Sequence, residues 1–239
     1  MSQAKLVIIM GVGSGLGSAI SKRFAAGGHP VALAARSQAQ AGKIAAEISA
    51  AGGRAQAFVV DALDRNAIHR LFDEAEAAFG PAGVAIFNIG GRSLKGFLEV
   101  DAAEMEETWR NGFFTAFLTA HEAARRMVPR GEGSIFFTGA PSSRHGMANH
   151  AAYAAAKFGV RGMAESMARE FFPLGIHVTH FTLDGGVGNE NRVKGNPELA
   201  ARDGLLSVTA LAEAYYQTHL QPRSCWSFDI EMRPWNRPF

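Results

Sequence analysis

The sequence predicts an α/β protein: one doubly wound parallel sheet of about seven strands with helices on both faces. Three observations predict it. Short apolar runs alternate with longer amphipathic stretches along most of the chain. The runs are apolar on both faces, which suits strands enclosed between two helix layers. A glycine-rich turn, Gly11 to Gly17, closes the first run.

Leu6–Met10, Pro30–Ala35, Ala55–Val60, Gly83–Asn88, Ser134–Thr138 and Ile176–Leu183 are rich in Val, Ile and Phe and read as strands, with a last one near Trp226–Met232. Leu16–Gly27, Gln38–Ala51, Arg65–Phe79, Ala102–Met127 and Ala148–Phe172 read as helices, with another near Val208–His219. Asp101 followed by Glu104 is a reciprocal capping pattern for the fourth helix. Pro173 with Gly175 ends the fifth. Residues 185–206 break the rhythm with glycines, Asn189, Asn191, Asn196 and Pro197, leaving room for a short helix around Glu198–Asp203. Such a segment inside a compact domain is expected to be a substrate loop or lid. No repeat or linker divides residues 1–239, which read as one domain.

Composition excludes several classes. With 47% hydrophobic and 19% charged residues the chain buries a core and is not disordered. A net charge of +2 without a dense basic run argues against a nucleic-acid partner. The longest apolar runs are far short of the roughly 20 residues of a membrane span. Cys225 is the single cysteine, so no intrachain disulfide forms and a cytoplasmic setting is expected. His121, His177 and His180 have no metal-ligand spacing, and no metal is expected.

The turn Gly11-Val-Gly13-Ser14-Gly15-Leu16-Gly17 lies between the first strand and the first helix. Backbone there can approach a pyrophosphate closely, beside the positive end of a helix. NAD binders place an acidic residue about 20 residues beyond this turn. Here the second strand ends Ala34-Ala35-Arg36 instead, and a guanidinium suits a 2′-phosphate. NADP(H) is therefore the expected cofactor, ahead of NAD. Far downstream, Tyr153 and Lys157 stand one helical turn apart on one face. A phenol can protonate a carbonyl oxygen as hydride reaches the carbon, and a nearby ammonium would lower the phenol's high pKa.

These residues resemble the short-chain dehydrogenase/reductase family over nearly the whole chain, a family with the Rossmann fold. Gly11, Gly15 and Gly17 match its cofactor turn, Asp61 its adenine-contacting aspartate, and Asn88-Ile89-Gly90 its segment after the fourth strand. Asn111 matches the asparagine of its proton relay, and Tyr153-Ala-Ala-Ala-Lys157 its Tyr-x-x-x-Lys pair. The resemblance implies carbonyl/alcohol oxidoreduction, with Tyr153 as general acid/base, Lys157 reaching the nicotinamide ribose, and Ala62, Gly90, Gly185 and Val187 lining the cofactor. It also implies a homodimer or homotetramer packed through the helices holding Asn111 and Tyr153.

Three departures matter. The family serine falls thirteen residues before the tyrosine, where this chain has Ala140. The usual Pro-Gly pair after the sixth strand is Asp184-Gly185, and Asn189 replaces a threonine. Ser142 is the first candidate to stand in for the serine; alternatively it forms a solvated turn with Ser143 after Pro141. The missing hydroxyl leaves open a second reading, a non-catalytic NAD(P)-binding sensor or scaffold. The loops expected around the substrate, which also hold His145 and His150, mix Phe97, Leu98 and Met147 with Arg92, Lys95, Arg144 and Arg192. That mixture suits an apolar carbonyl compound with an acidic tail.

Overall fold

The computed structural model describes residues 4–238. Seven parallel strands form one sheet in the order β3-β2-β1-β4-β5-β6-β7: β1 Leu6–Met10, β2 Val31–Ala35, β3 Ala55–Val59, β4 Ala82–Phe87, β5 Gly133–Thr138, β6 Ile176–Leu183 and β7 Asp229–Met232. The first helices are α1 Leu16–Ala26, α2 Gln38–Ala50, α3 Arg65–Phe79, α4 Ala102–Trp109 and α5 Thr115–Met127. They are followed by α6 Ala151–Phe171, α7 Glu190–Gly195, α8 Pro197–Ala201 and α9 Val208–His219. The expected elements are present, with ends moved by a few residues.

The two-residue repeat of a strand sends alternate side chains to opposite faces. Leu6, Ile8 and Met10 enter one apolar layer with residues of α3, α5 and α6, while Val7 and Ile9 enter the other with residues of α1, α2 and α9. All five are essentially unexposed. Full burial of each such side chain contributes about 1.5–3 kcal/mol. β3 departs from the all-apolar expectation because it is an edge, and Gln56 and Val59 face solvent. No helix among the described residues is long and apolar enough to cross a membrane.

Two segments differ from expectation. The span Ala102–Met127 is not one α-helix: Arg110–Phe114 forms a π turn between α4 and α5. The chain is closely packed at this point. A Cβ on Gly91 would sit 2.9 Å from Gly112 N, and one on Gly112 would sit 2.9 Å from Ala156 Cβ. The π turn is thus pressed between the segment after β4 and α6. Residues 185–206 carry two short helices, α7 and α8, rather than one, because Asn189 accepts the Arg192 amide at 2.9 Å and caps α7. Asp101 does cap α4, accepting from Glu104 N at 2.8 Å. The reciprocal half of the expected pattern is missing, since the Glu104 carboxylate is taken by Ser93 and Lys95.

At the end of the sheet where the strands begin, His29, His177 and His219 border one hollow of about 420 Å³. The His29 and His219 rings lie 5.3 Å apart, edge to face. Burial, helped by the neighbouring cationic and imidazole groups, pushes the His219 pKa from 6.5 down to about 4; His29 and His177 shift the same way through burial. The unfolded chain therefore binds protons that the folded one refuses, and stability falls as pH drops from about 6.5 towards 4. The His219 share is about 3 kcal/mol once the window is crossed. Urea unfolding at pH 7.5 and 5.0 should show about 2 kcal/mol of this loss, and His219→Gln should flatten it. An unchanged pH slope in the variant would remove His219 as the cause.

Candidate active site

Strand order reverses direction between β1 and β4, and ligands of open α/β sheets bind at that switch, beyond the carboxyl ends of the strands. Two hollows lie there. One, of about 680 Å³, is lined by Leu16, Asn88, Ala140, Ser142, Tyr153, Lys157, Gly185 and Val187 among others. The second, of about 740 Å³, is lined by Gly11, Gly13, Arg36, Asp61, Ala62 and Asn111 among others. Asn88, Ile89, Gly90 and Arg92 line both, so they are halves of one groove.

The glycine turn fits a dinucleotide on this structure's own geometry. Gly11 has φ +96°, and a Cβ there would lie 2.8 Å from the Asn88 carbonyl carbon and oxygen. Asn88 Nδ2 donates to Gly11 O at 3.0 Å, pinning the turn to the end of β4. A Cβ on Gly17 would lie 2.9 Å from Gly11 O, so the first turn of α1 packs directly on the loop. Gly13 meets nothing within 4 Å and leaves an open approach for phosphate. The first amides of a helix lack intrahelical acceptors, and α1 begins at this point with Gly15 as its cap. Ser14, Gly15 and Gly17 themselves line neither half of the groove: Gly17 is buried as support, Gly15 lies against Asn189, and Ser14 is exposed. Arg36 is exposed at the end of β2, on the Asp61 side of the groove. Asp61 accepts from Leu63 N at 2.9 Å, which shapes the turn after β3.

Lys157 is buried, and burial pushes its pKa down to about 8. Its Nζ donates to Thr138 O at 3.1 Å and to Ile89 O at 3.5 Å. An ammonium carries three donors, which leaves one for a ligand. The expectation that Lys157 lowers the Tyr153 pKa is not met. The ammonium is engaged by two carbonyls and lies 5.9 Å from the centre of the Tyr153 ring. Burial raises the Tyr153 pKa, and the opposing influence comes from Arg92. Asn111 sits in the π turn, its carbonyl accepting from Thr115 Oγ1 at 2.6 Å. Among the described residues no hydrogen bond joins it to Lys157, so a relay between the two would run through water.

Ala140, thirteen residues before Tyr153, lines the groove. The reading of Ser142 and Ser143 as a solvated turn is overturned, because both are fully buried in a 3₁₀ turn, Pro141–Ser143. Ser143 Oγ accepts from Ala140 N at 3.2 Å. Ser142 lines the catalytic half of the groove, yet its Oγ is covered and has no hydrogen-bond partner among the described residues. The Asp184 that replaces proline pairs with Arg233 and, at 2.8 Å, with Arg237, tying the C-terminal tail over the end of β6. His150 lines the groove and His145 does not; Met147 lines it, while Phe97 and Leu98 are exposed outside it. His177 and His180 are buried, His121 is exposed, and no metal-binding cluster occurs among the described residues. Sequence reasoning missed the carbonyls of Thr138 and Ile89 and the approach of Arg237. Backbone oxygens carry no residue signal, and Arg237 arrives only through the tail.

Residues 5–190 match the family model for short chain dehydrogenase. A short-chain dehydrogenase from Rhodopseudomonas palustris is 35% identical, with a TM-score of 0.84, covering 97% of this chain and 99% of that one. The 3-oxoacyl-[acyl-carrier-protein] reductase MabA of Mycobacterium tuberculosis is 33% identical over 168 residues, 70% of this chain and 63% of that protein. A metagenomic short-chain oxidoreductase solved in complex with NADP shares the fold at 23% identity, with a TM-score of 0.83, covering 99% of this chain and 100% of that one. With the matched model spanning the cofactor turn, the Tyr153/Lys157 pair and six of the seven strands, the chain belongs to the short-chain dehydrogenase/reductase family, whose members are NAD(P)-dependent oxidoreductases.

Proposed function

We propose that this protein is an NADP(H)-dependent oxidoreductase that interconverts a carbonyl and an alcohol on a small organic substrate. The observation that carries the reading is one wall: Tyr153 and Lys157 line the same hollow as Leu16 of the cofactor turn and Asn88, which pins that turn to the end of β4. Gly11 and Gly13 would take the pyrophosphate, the spare Lys157 donor the nicotinamide ribose, and Arg36 a 2′-phosphate. The reduced nicotinamide, when bound, supplies the hydride. Tyr153 gives its hydroxyl proton to the substrate oxygen as charge builds there. Its raised pKa keeps the phenol protonated at neutral pH, which is the form that reduction requires.

Ser142 supplies the second donor that Ala140 lacks. An unpaired buried hydroxyl costs about 1–3 kcal/mol, so the Ser142 hydroxyl gains by turning about χ1 into the groove when a carbonyl oxygen arrives. Solved neighbours of the same fold, the metagenomic enzyme and an actinorhodin polyketide ketoreductase, are described with NADP and NADPH, which supports the cofactor reading.

A fluorescence titration tests the cofactor. NADPH should bind more tightly than NADH, and Arg36→Ala should weaken NADPH by about 10–100-fold while leaving NADH nearly unchanged. Equal affinity of the wild type for both would reject the assignment. A panel of aldehydes and ketones then tests turnover. NADPH binding without turnover, unaltered by Ala140→Ser, would mark a sensor or scaffold instead.

A further inference from the structure

The catalytic half of the groove is a cationic chamber. Lys157, Arg92, Arg192 and Arg237 line it, and no aspartate or glutamate does. Several of the chain's cations near this end of the sheet are already matched. Lys95 pairs with Glu104 at 2.6 Å, Arg144 with Asp229 at 2.9 Å and Glu231 at 2.6 Å, and Arg237 with Asp184 at 2.8 Å. Arg92 and Arg192 have no ion pair among the described residues. Arg92 stands just beyond β4, and Arg192 lies on α7, after β6. Two distant segments thus deliver unmatched guanidinium groups to one hollow.

From this pairing pattern we infer that the substrate carries an oxyanion, a carboxylate or a phosphate monoester, held by Arg92 and Arg192 while its carbonyl meets Tyr153. A guanidinium presents a planar fork of donors that grips either group through paired charge-assisted bonds. Apolar lining from Ile89, Met147, Leu183 and Val187 suits the carbon body between the two ends. The phosphates of the cofactor are an insufficient explanation for both arginines. The glycine turn with the start of α1, and Arg36, already provide for the pyrophosphate and the 2′-phosphate.

The inference rests on the proposed carbonyl chemistry for the role of Tyr153, and its test does not require turnover. Calorimetric titration of the protein, with and without NADPH, compares three saturated probes that cannot be reduced: hexanoate, hexyl phosphate and hexanamide. At least one acid should bind about tenfold more tightly than the amide, and the stronger acid identifies the anion. Arg92→Gln and Arg192→Gln should each remove most of that difference without changing hexanamide affinity, and Arg192→Gln, which lies outside the half of the groove that holds Arg36 and Asp61, should leave NADPH affinity unchanged. Arg92 is exposed and Arg192 makes no side-chain hydrogen bond among the described residues, so neither change should disturb the fold. Binding of all three probes alike, or an Arg192→Gln variant that weakens NADPH itself, would overturn the inference. Absence of NADPH binding would sink the functional reading alone, because the probe affinities are read on the protein directly.

Discussion

Tyr153→Phe is expected to lower kcat/KM for carbonyl reduction by about 10³-fold, within the range that a positioned general acid supplies. The substitution removes one oxygen and keeps the ring that packs against His150, with centroids 6.3 Å apart. The fold and NADPH affinity should therefore persist, and a circular-dichroism melt with an NADPH titration would confirm both. A change in NADPH affinity as large as the change in rate would mean that Tyr153 binds rather than reacts. The same assay on Ser142→Ala should give a smaller loss, about 10²-fold, the scale of one preorganised donor to a developing oxyanion. Full activity in that variant would leave Ser142 a buried packing residue. In the reverse direction the raised phenol pKa carries a sign: alcohol oxidation needs the phenolate, so its rate should climb with pH well above neutral.

Gly11→Ala is expected to damage cofactor binding and stability together. At φ +96° an L side chain is strained, and the added methyl would press at 2.8 Å on the Asn88 backbone, whose amide is held by Met10 O at 2.8 Å at the end of the interior strand β4. A cost of about 1–3 kcal/mol follows, a melting-temperature drop of several degrees, with NADPH affinity reduced by at least about tenfold as the turn moves. Gly13→Ala is the control. Nothing lies within 4 Å of its would-be Cβ, so its melting temperature should hold while NADPH affinity still falls. Loss of stability in both variants would show that the turn is shaped for folding and not for a ligand.

How much of this was legible beforehand depends on where each signal resides. The strand Leu6–Met10 is written in five consecutive apolar residues that divide between two layers, and its bounds were readable to the residue. The Tyr153/Lys157 pair was readable because one helical turn fixes their shared side. The π turn at Asn111 was not: it lies where Gly91 and Ala156, from elsewhere in the chain, pack closely on Gly112, and no local residue pattern marks it. The Glu104 side chain illustrates the same limit. Its spacing from Asp101 suggested a local cap, yet Ser93 and Lys95 won it.

The order of apolar runs, the glycine turn and the Tyr153/Lys157 spacing by themselves determined the sheet, its chain direction and the place of the groove, since each depends on neighbours within a few residues. Tertiary structure alone decided which charges remain available. Lys95, Arg144, Arg92 and Arg192 all read simply as cations in the sequence, but folding brings carboxylates to the first two and, among the described residues, none to the others. It likewise decided that Lys157 faces two carbonyls rather than the phenol and that Ser142 is covered rather than solvated. Charge pairing and burial are long-range properties, set by what the completed fold places within a few ångströms of a side chain.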